Sequence, residues 1–539
     1  MGATPHDIVI IGAGHNGLVT AFYLARAGLR PLVLERRPVV GGVAITDEFH
    51  PGFRCSTLAH LSGPLAADIF RAMQLDRKGL EMLHPDTAVF APAPDGRSLL
   101  LYRDAARSAQ EIARFSRKDA DNYVEFQRVL SRLGKFLGPV LRMTPPRIDH
   151  PTAGDFWGLI KTLRQFRRLG RKDMFRLLRW GPTAVADVVG EWFEGELLRA
   201  TLAARGIFGN FLGPWSPGSS AVFLLRAASV GHPAGSASFA RGGMGALTQA
   251  LASAARQAGA EIRTGADVAR ITVKGGSVTG VALASGEEIS AKTVVSNADP
   301  RRTFLGLIDP VHLEPDFLLK MQSYRCTGSL AKVNLALAGL PAFSALKERA
   351  DGAALAGRIH IGPEIEYLER AFDDAKYGDF SRQPYLDITI PSIADPSLAP
   401  PGRHVMSIWA QFAPFALKQG DWKSQREALG DVVVNTLAAY APNLPGLILR
   451  RQVITPQDIE ETYGLTGGHI FHGELGLDQL FAMRPLLDWA RYRTPIRGLY
   501  LCGSGTHPGL GLTGASGANA AREILKDLNW LANPWSRLY

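Results

Sequence analysis

Cysteine is scarce: three residues, Cys55, Cys326 and Cys502, are scattered over a chain of 539. They form no C-x-x-C pair and no metal-type spacing, which excludes a disulfide framework and a thiol redox couple and fits a reducing, cytoplasmic setting. Long apolar runs are missing too. No stretch of about 18 apolar residues occurs, so no helix is expected to span a membrane. The opening MGATPH leads straight into an apolar strand, without the charged region, apolar core and cleavage site of an export signal. Acidic residues are in deficit, 50 Asp and Glu against 60 Lys and Arg, a net charge of +10. That balance favours anionic surfaces, membranes or nucleic acid among them, and carries no information on fold or reaction. A hydrophobic content of 46% excludes disorder, and a chain of this length implies two or more domains.

What is present is organised around Asp7 to Glu35. Ile8–Ile11 is an apolar strand, ended at once by Gly12, Gly14 and Gly17 in the spacing G-x-G-x-x-G. Leu18, Phe22, Leu24 and Ala25 continue at helical spacing to Gly28, and Pro31–Leu34 forms a second strand closed by Glu35. Each position has a reason in a dinucleotide site. Gly12 permits the sharp turn, Gly14 lets backbone approach a pyrophosphate, and Gly17 lets the helix lie close on the sheet. The helix N-terminus offers free N–H groups to the anion. Glu35 suits a ribose 2′-hydroxyl and would repel a 2′-phosphate. Gly41-Gly42 is either an ordinary loop or an extension of the same surface.

Beyond this unit, residues 104–228 read as mostly helical. Within them Lys161–Arg179 holds eight basic residues against one acid, Asp173, with Leu159, Leu163, Phe166, Leu177, Leu178 and Trp180 interleaved. Such an amphipathic helix can lie on an anionic bilayer; the alternative is a solvated face or one packed on another subunit. SFARGGMG leads into a helix over 246–258. Short strands follow at 261–263, 268–273 and 278–283, the last two joined by the Gly275-Gly276 turn, and then at 289–295. Strand-like segments at 330–337, 385–390 and 405–411 and a helix over 423–440 suggest a separate sheet. Finally Gly498–Cys502 runs into a second glycine turn, Gly503 to Gly514, opening a helix over 515–528.

These pieces, in this order, resemble the flavin-containing amine oxidase and phytoene desaturase superfamily. The resemblance rests on G-x-G-x-x-G with Glu35, Gly41-Gly42, ARGGMG, Val268–Ile271, VVSNAD and the closing LYLCGSGTHPGLGLTGASGANAA. IIGAGHNGL and GGHIFHGELGLDQLFAMRP look like its phytoene-dehydrogenase-like branch, which includes the proteins called pyridine nucleotide-disulphide oxidoreductase domain-containing. This chain lacks the cysteine pair that such a name suggests.

The resemblance implies an α/β fold: an FAD-binding doubly wound, Rossmann-type domain from 1–103, 229–300 and 495–539, a helical insertion at 104–228, and an interleaved α+β substrate domain at 301–494. It implies FAD held in an extended pose. The cofactor would lie on Gly12, Gly14, His15, Asn16, Gly17, Glu35 and Arg36 with Gly41, Gly42, Val268 and Asn297, and on Gly503, Ser504, Gly511, Leu512 and Thr513 at its flavin end. Leu510 stands where the branch usually has glycine, so that loop is bulkier here. A second full G-x-G-x-x-G is missing, since Gly242-Gly243-Met244-Gly245 lacks the third glycine; a bound nicotinamide cofactor is unsupported.

A flavin carries the hydride chemistry, and the protein positions the C–H bond and supplies acid or base. Lys332, a lone charge in LAKVNLAL, is either a buried base, aligning by resemblance with the lysine that amine oxidases hold near flavin N5, or an outward-facing strand residue. His469, His472 and Glu474 lie in a glycine-rich loop, where catalytic groups are commonly displayed. H-x-x-H-x-E also hints at a metal, discounted because one flexible loop is a weak site. His507 sits over the flavin or caps a loop. His60 reads as a satisfied buried histidine. Phe208, Phe211, Trp215, Phe223, Trp409, Phe412 and Phe415 supply core and some pocket lining. The expectation is an FAD-dependent oxidoreductase that desaturates, saturates or isomerises an apolar, lipid-like or polyene substrate, with peripheral membrane contact through 161–180 and no nucleic acid. The alternatives are an amine oxidase using dioxygen and a flavin-bearing interaction protein.

Overall fold

Ile8–Ile11 is buried along its whole length because both of its faces are covered, the usual state of a strand inside a parallel sheet. The structure, a computed structural model, describes residues 6–61, 63, 65–147, 153–235, 237–346 and 352–528. The outermost parts of the expected nucleotide domain, 1–5 and 529–539, lie outside the described residues.

Five parallel strands form the first sheet, in the order Leu499–Leu501, Val294–Ser296, Ile8–Ile11, Pro31–Glu35, Glu261–Thr264. Alternation along these strands sends Ile8, Ile10 and Val33 to one face, against the helices His15–Arg26, Met244–Gln257 and Ala515–Asp527. Val9, Ile11, Leu32 and Leu34 point to the other face, against Val268, Ile271 and Val281 of a three-stranded antiparallel meander. The stretch 289–295 is not one strand. Glu288–Ser290 closes the meander, and Val294–Ser296 enters the parallel sheet.

The second sheet has seven strands, in the order Ile448–Ile454, Leu330–Leu337, His404–Gln411, Tyr385–Thr389, Arg358–Ile361, Thr87–Pro92, Ser98–Tyr102. Its last two strands correct the boundary expected at residue 103. Thr87–Pro92 pairs in parallel with Arg358–Ile361, and Ser98–Tyr102 pairs back on it, so this hairpin extends the seven-stranded sheet. An apolar run shows that a strand is buried but not against which sheet edge.

Helices from Ala105–Ile112 to Ser219–Val230 make up the insertion, around a core that includes Tyr123, Phe126, Trp180 and Phe223. The basic stretch is two helices, Ala153–Arg168 and Gly170–Trp180, rather than one. Gly170, at φ +77°, takes the left-handed conformation that ends a helix cheaply only at glycine.

The two ends of the chain meet where His15–Arg26 and Ala515–Asp527 cross. A Cβ at Gly517 would lie 2.2 Å from the Asn16 carbonyl oxygen, and Thr20 Oγ1 donates to the Gly517 carbonyl at 3.0 Å. Replacing Gly517 with valine is expected to force the helices apart and destabilise the fold by about 1–3 kcal/mol. An unchanged thermal transition in the variant would contradict this packing.

Candidate functional site

Both glycine turns leave the parallel sheet at the carboxyl ends of its strands, the usual ligand crevice of such folds. A cavity of about 890 Å3 opens there and reaches residues of the seven-stranded sheet.

At the first turn, Gly12, Gly14 and His15 line the cavity with Glu35 and Arg36. Gly12 has φ +94°, and a Cβ on Gly14 would lie 2.8 Å from Asn297 Nδ2. Gly41, Gly42, Val268 and Asn297 line the same end. Glu35 is almost fully buried; its carboxylate accepts the Ala13 N–H at 2.8 Å and the Arg37 N–H at 3.0 Å, which fixes it against the turn. Gly17 lies beneath the surface, where a Cβ would meet the Gly12 carbonyl at 2.2 Å. Asn16 is also set back. Its Nδ2 donates to Ser504 Oγ at 3.3 Å and its Oδ1 accepts the Gly517 N–H at 3.3 Å, so it ties one turn to the other.

At the second turn Ser504, Leu510, Gly511 and Leu512 line the cavity. Gly503 stands behind, its missing Cβ leaving room for the Asn297 carbonyl at 2.8 Å and the His472 ring at 3.1 Å. Thr513 Oγ1 accepts the Ala515 N–H at 3.3 Å, at the helix start.

The candidate catalytic residues separate. His472 lines the cavity, with φ +59° and a buried Nδ1 that has no partner among the described residues. Glu474 is held away from the cavity by Arg325 Nε, at 2.9 Å. His507 is turned into the protein; its Nε2 bonds the Val140 carbonyl at 2.9 Å, and its ring meets Phe481 edge-on. His469, three residues before His472, is buried and accepts the Phe471 N–H.

Lys332 is fully buried and so is not an outward-facing strand residue. It stands one layer back from the cavity wall, 2.9 Å from His60 Nδ1 and 4.5 Å from the centre of the Trp409 ring. His60 and Trp409 are themselves cavity-lining. With Lys332 donating to Nδ1, the imidazole keeps its own proton on Nε2, which faces Asp387 Oδ1 at 3.6 Å. His60 is thus part of a buried line, Lys332–His60–Asp387, and more than a satisfied core residue.

Burial strongly disfavours the charge on Lys332, whose pKa lies well below its ordinary value. His60 falls to about 4 through burial and the neighbouring lysine. Burial works to raise Asp387, but Arg358, His60 and Arg205 outweigh it and hold the carboxyl far below the usual range. Arg358 Nε reaches Asp387 at 3.0 Å and Arg205 Nη1 at 3.2 Å. Sequence reasoning misses Asp387, Arg205, Arg226 and Arg484. Asp387 offers the same signal as Lys332, a lone charge inside an apolar strand, here YLDIT. Arg484, fully buried, donates to the carbonyls of Ser504, Phe471 and Glu474, pinning the loop that carries His472 onto the second turn.

Two glycine turns facing one crevice, with a second sheet carrying buried ionisable groups across it, define a dinucleotide-binding protein of the doubly wound class, and the family to which it belongs makes it a flavin-dependent oxidoreductase. The chain belongs to the flavin containing amine oxidoreductase family, whose model matches residues 17–525. It is 38% identical to pyridine nucleotide-disulfide oxidoreductase domain-containing protein 2 of Rattus norvegicus, over 97% of this chain and 94% of that one. One of the polypeptides of limonene dehydrogenase from Castellaniella defragrans is 30% identical over 98% of this chain and 96% of its own. Among solved structures, putrescine oxidase bound to putrescine superposes with a TM-score of 0.57 over 98% of this chain and 99% of that one, at 15% identity, a likeness of fold. The cofactor is FAD. The crevice fits it: Gly12, Gly14, Gly41, Gly42 and Gly511 line its wall with bare backbone, and His15 Nε2 and His472 Nδ1 are buried at the wall without partners among the described residues.

Burial lowers every histidine around the site: His15 and His469 to about 3, His60, His472 and His507 to about 4, from 6.5. Between these values and 6.5 the unfolded chain binds more protons than the folded one, so their contribution is complete above about pH 6.5 and lost as pH falls toward 4. Chemical-denaturant midpoints should fall steeply over that window. A midpoint that stays level from pH 6.5 to 4.5 would show that these rings are not buried as neutral groups.

Proposed function

We propose that this enzyme acts on a carbon–carbon bond of an apolar, lipid-like or polyene substrate, by hydride transfer to or from flavin N5. The observation that carries this reading is the cavity wall on the substrate side. Phe208, Trp409, Ile470, Phe471, Leu58 and Leu465 make it apolar, and the charge beside them is cationic. An ammonium substrate would meet Arg205 and Arg226 across a low-dielectric space, with Asp387 already engaged by arginine. The limonene dehydrogenase relative supports the same direction, since its name specifies dehydrogenation of an isoprenoid hydrocarbon.

In this reading the ADP half of FAD would be held by Gly12, Gly14, Glu35, Arg36, Gly41, Gly42, Val268 and Asn297, and the flavin end by Ser504, Gly511 and Leu512. Bound FAD supplies the hydride acceptor or donor. The chain's own residues exclude water through the apolar wall and hold a proton on the line Lys332–His60–Asp387, where burial favours the neutral amine of Lys332. Buried Lys332 beside Trp409 also suits amine oxidation, the second reading. Anaerobic mixing separates the two: bleaching of the flavin by an isoprenoid alkene supports the first, bleaching by an aliphatic amine the second. Lys332→Met is expected to slow flavin reduction by about 10²-fold with flavin content intact. A full-speed variant would remove the lysine from the mechanism.

We propose, further, that the substrate is drawn from an anionic membrane surface. Phe156, Trp157, Leu163, Phe175 and Leu178 are all more than half exposed, beside exposed Lys161, Arg164, Arg167, Arg168, Arg171 and Lys172. Apolar side chains rimmed by cations match the acyl boundary and phosphates of a bilayer. Arg176 and Trp180 do not join this face: Arg176 pairs with buried Asp173 at 2.6 Å, and Trp180 is core. Among the described residues no helix is long and apolar enough to cross a membrane. Phosphatidylserine vesicles should sediment the protein, and substituting Phe156, Trp157 and Phe175 together by serine should weaken binding by roughly tenfold or more. Equal sedimentation with neutral vesicles would sink the idea.

A further inference from the structure

Arg226, on the helix Ser219–Val230, is 8% exposed, and its guanidinium lines the cavity. Nη1 and Nη2 each use one of their two N–H groups on a carbonyl, Arg205 O at 3.1 Å and Phe208 O at 2.7 Å. Its charged carbon lies 5.5 Å from the Phe208 ring and 5.1 Å from the Phe471 ring. No carboxylate pairs with it among the described residues. Among the described residues the acid nearby is Asp387, which takes Arg358 at 3.0 Å, Arg205 at 3.2 Å and the Tyr385 hydroxyl at 3.2 Å. Arg205 and Arg358 therefore share one carboxylate, and Arg226 lies beside them in a largely apolar part of the cavity with no carboxylate of its own among the described residues. Lys332 and His60 add no negative charge to offset them.

Buried charge is ordinarily balanced by a partner, and an uncompensated cation in such a place is costly. Burial and the adjacent Arg205 both weigh against the charge on Arg226. A bound anion would relieve both, and a planar oxyanion suits the guanidinium fork.

We infer that the substrate is an amphiphile with a carboxylate head, seated against Arg226 and Arg205, with its apolar chain along Phe208, Trp409 and Phe471. This rests on the reading above that the cavity takes a lipid-like molecule. It goes beyond that reading in making one end of the molecule anionic.

The test is calorimetric titration of the flavin-loaded protein with decanoate, decyl phosphate, 1-decanol and decylamine below their micelle concentrations. Decanoate is expected to bind at least about tenfold more tightly than 1-decanol, and decylamine least tightly. Arg226→Met should abolish the preference with flavin content and spectrum unchanged, while Arg226→Lys should keep part of it. Should Arg226→Met not fold, Arg205→Met read in the same way decides. Equal affinity for decanoate and 1-decanol, or a preference that survives both methionine variants, overturns the inference. So does tighter binding of decyl phosphate, or loss of flavin from the variants, which would place the arginines against the cofactor. Binding is read apart from turnover, so the two readings fail separately. Carboxylate selectivity in a protein that oxidises no lipid would refute the proposed reaction alone; oxidation of a neutral polyene without carboxylate preference would refute this inference alone.

Discussion

The close approach of the first and last helices is the constraint from which the rest of the structure follows. At Gly517 the helices come so near that the Asn16 carbonyl occupies the place of a side chain, and Asn16 reaches across to Ser504 with its own amide. Neither glycine turn alone makes a crevice long enough for an extended dinucleotide. Joined by Asn16, and with Arg484 holding the His472 loop onto Ser504, they become one continuous wall. Because the parallel sheet pairs Ile8–Ile11 and Leu499–Leu501 on either side of Val294–Ser296, this wall forms only when segments far apart in the chain are brought together.

A different constraint governs the opposite wall. Among the ionisable side chains that the seven-stranded sheet buries are Lys332 and Asp387, and His60 from the loop opposite lies between them. In a dry interior each of these groups is expensive unless its neighbours agree with it. The solution here is unequal. Asp387 keeps its charge because arginines surround it, whereas Lys332 and His60 are pushed toward neutrality. That inequality sets a neutral amine beside an electropositive chamber, a combination suited to handling a proton next to an apolar substrate and poorly suited to a cationic one.

Much of this is legible in one dimension. The G-x-G-x-x-G turn, Glu35 and the apolar strands declare themselves through spacing that few other structures require, and the second glycine turn repeats the signal. Buried Lys332 can be suspected because a charge inside LAKVNLAL has no ordinary reason to be there. His60 passes for a core residue, since a single histidine in a turn-rich segment has the same appearance whether it faces protein or cavity. Asp387 carries a signal equal to that of Lys332. Arg205 and Arg226 carry none, because arginines on amphipathic helices are common and their unbalanced charge exists only once the helices have packed. Glu474 and His507 have the right chemistry in the right stretch, yet backbone geometry turns them toward Arg325 and Val140.

By itself the sequence determined the nucleotide-binding unit, the class of cofactor and the helical character of the insertion, since each depends on residues near one another in the chain and on the local rules of turns and periodicity. Tertiary structure alone decided which sheet receives the 87–102 hairpin, which charges share the cavity and which candidate side chains reach it. Those outcomes rest on distances between residues far apart in the chain, and no local spacing encodes them.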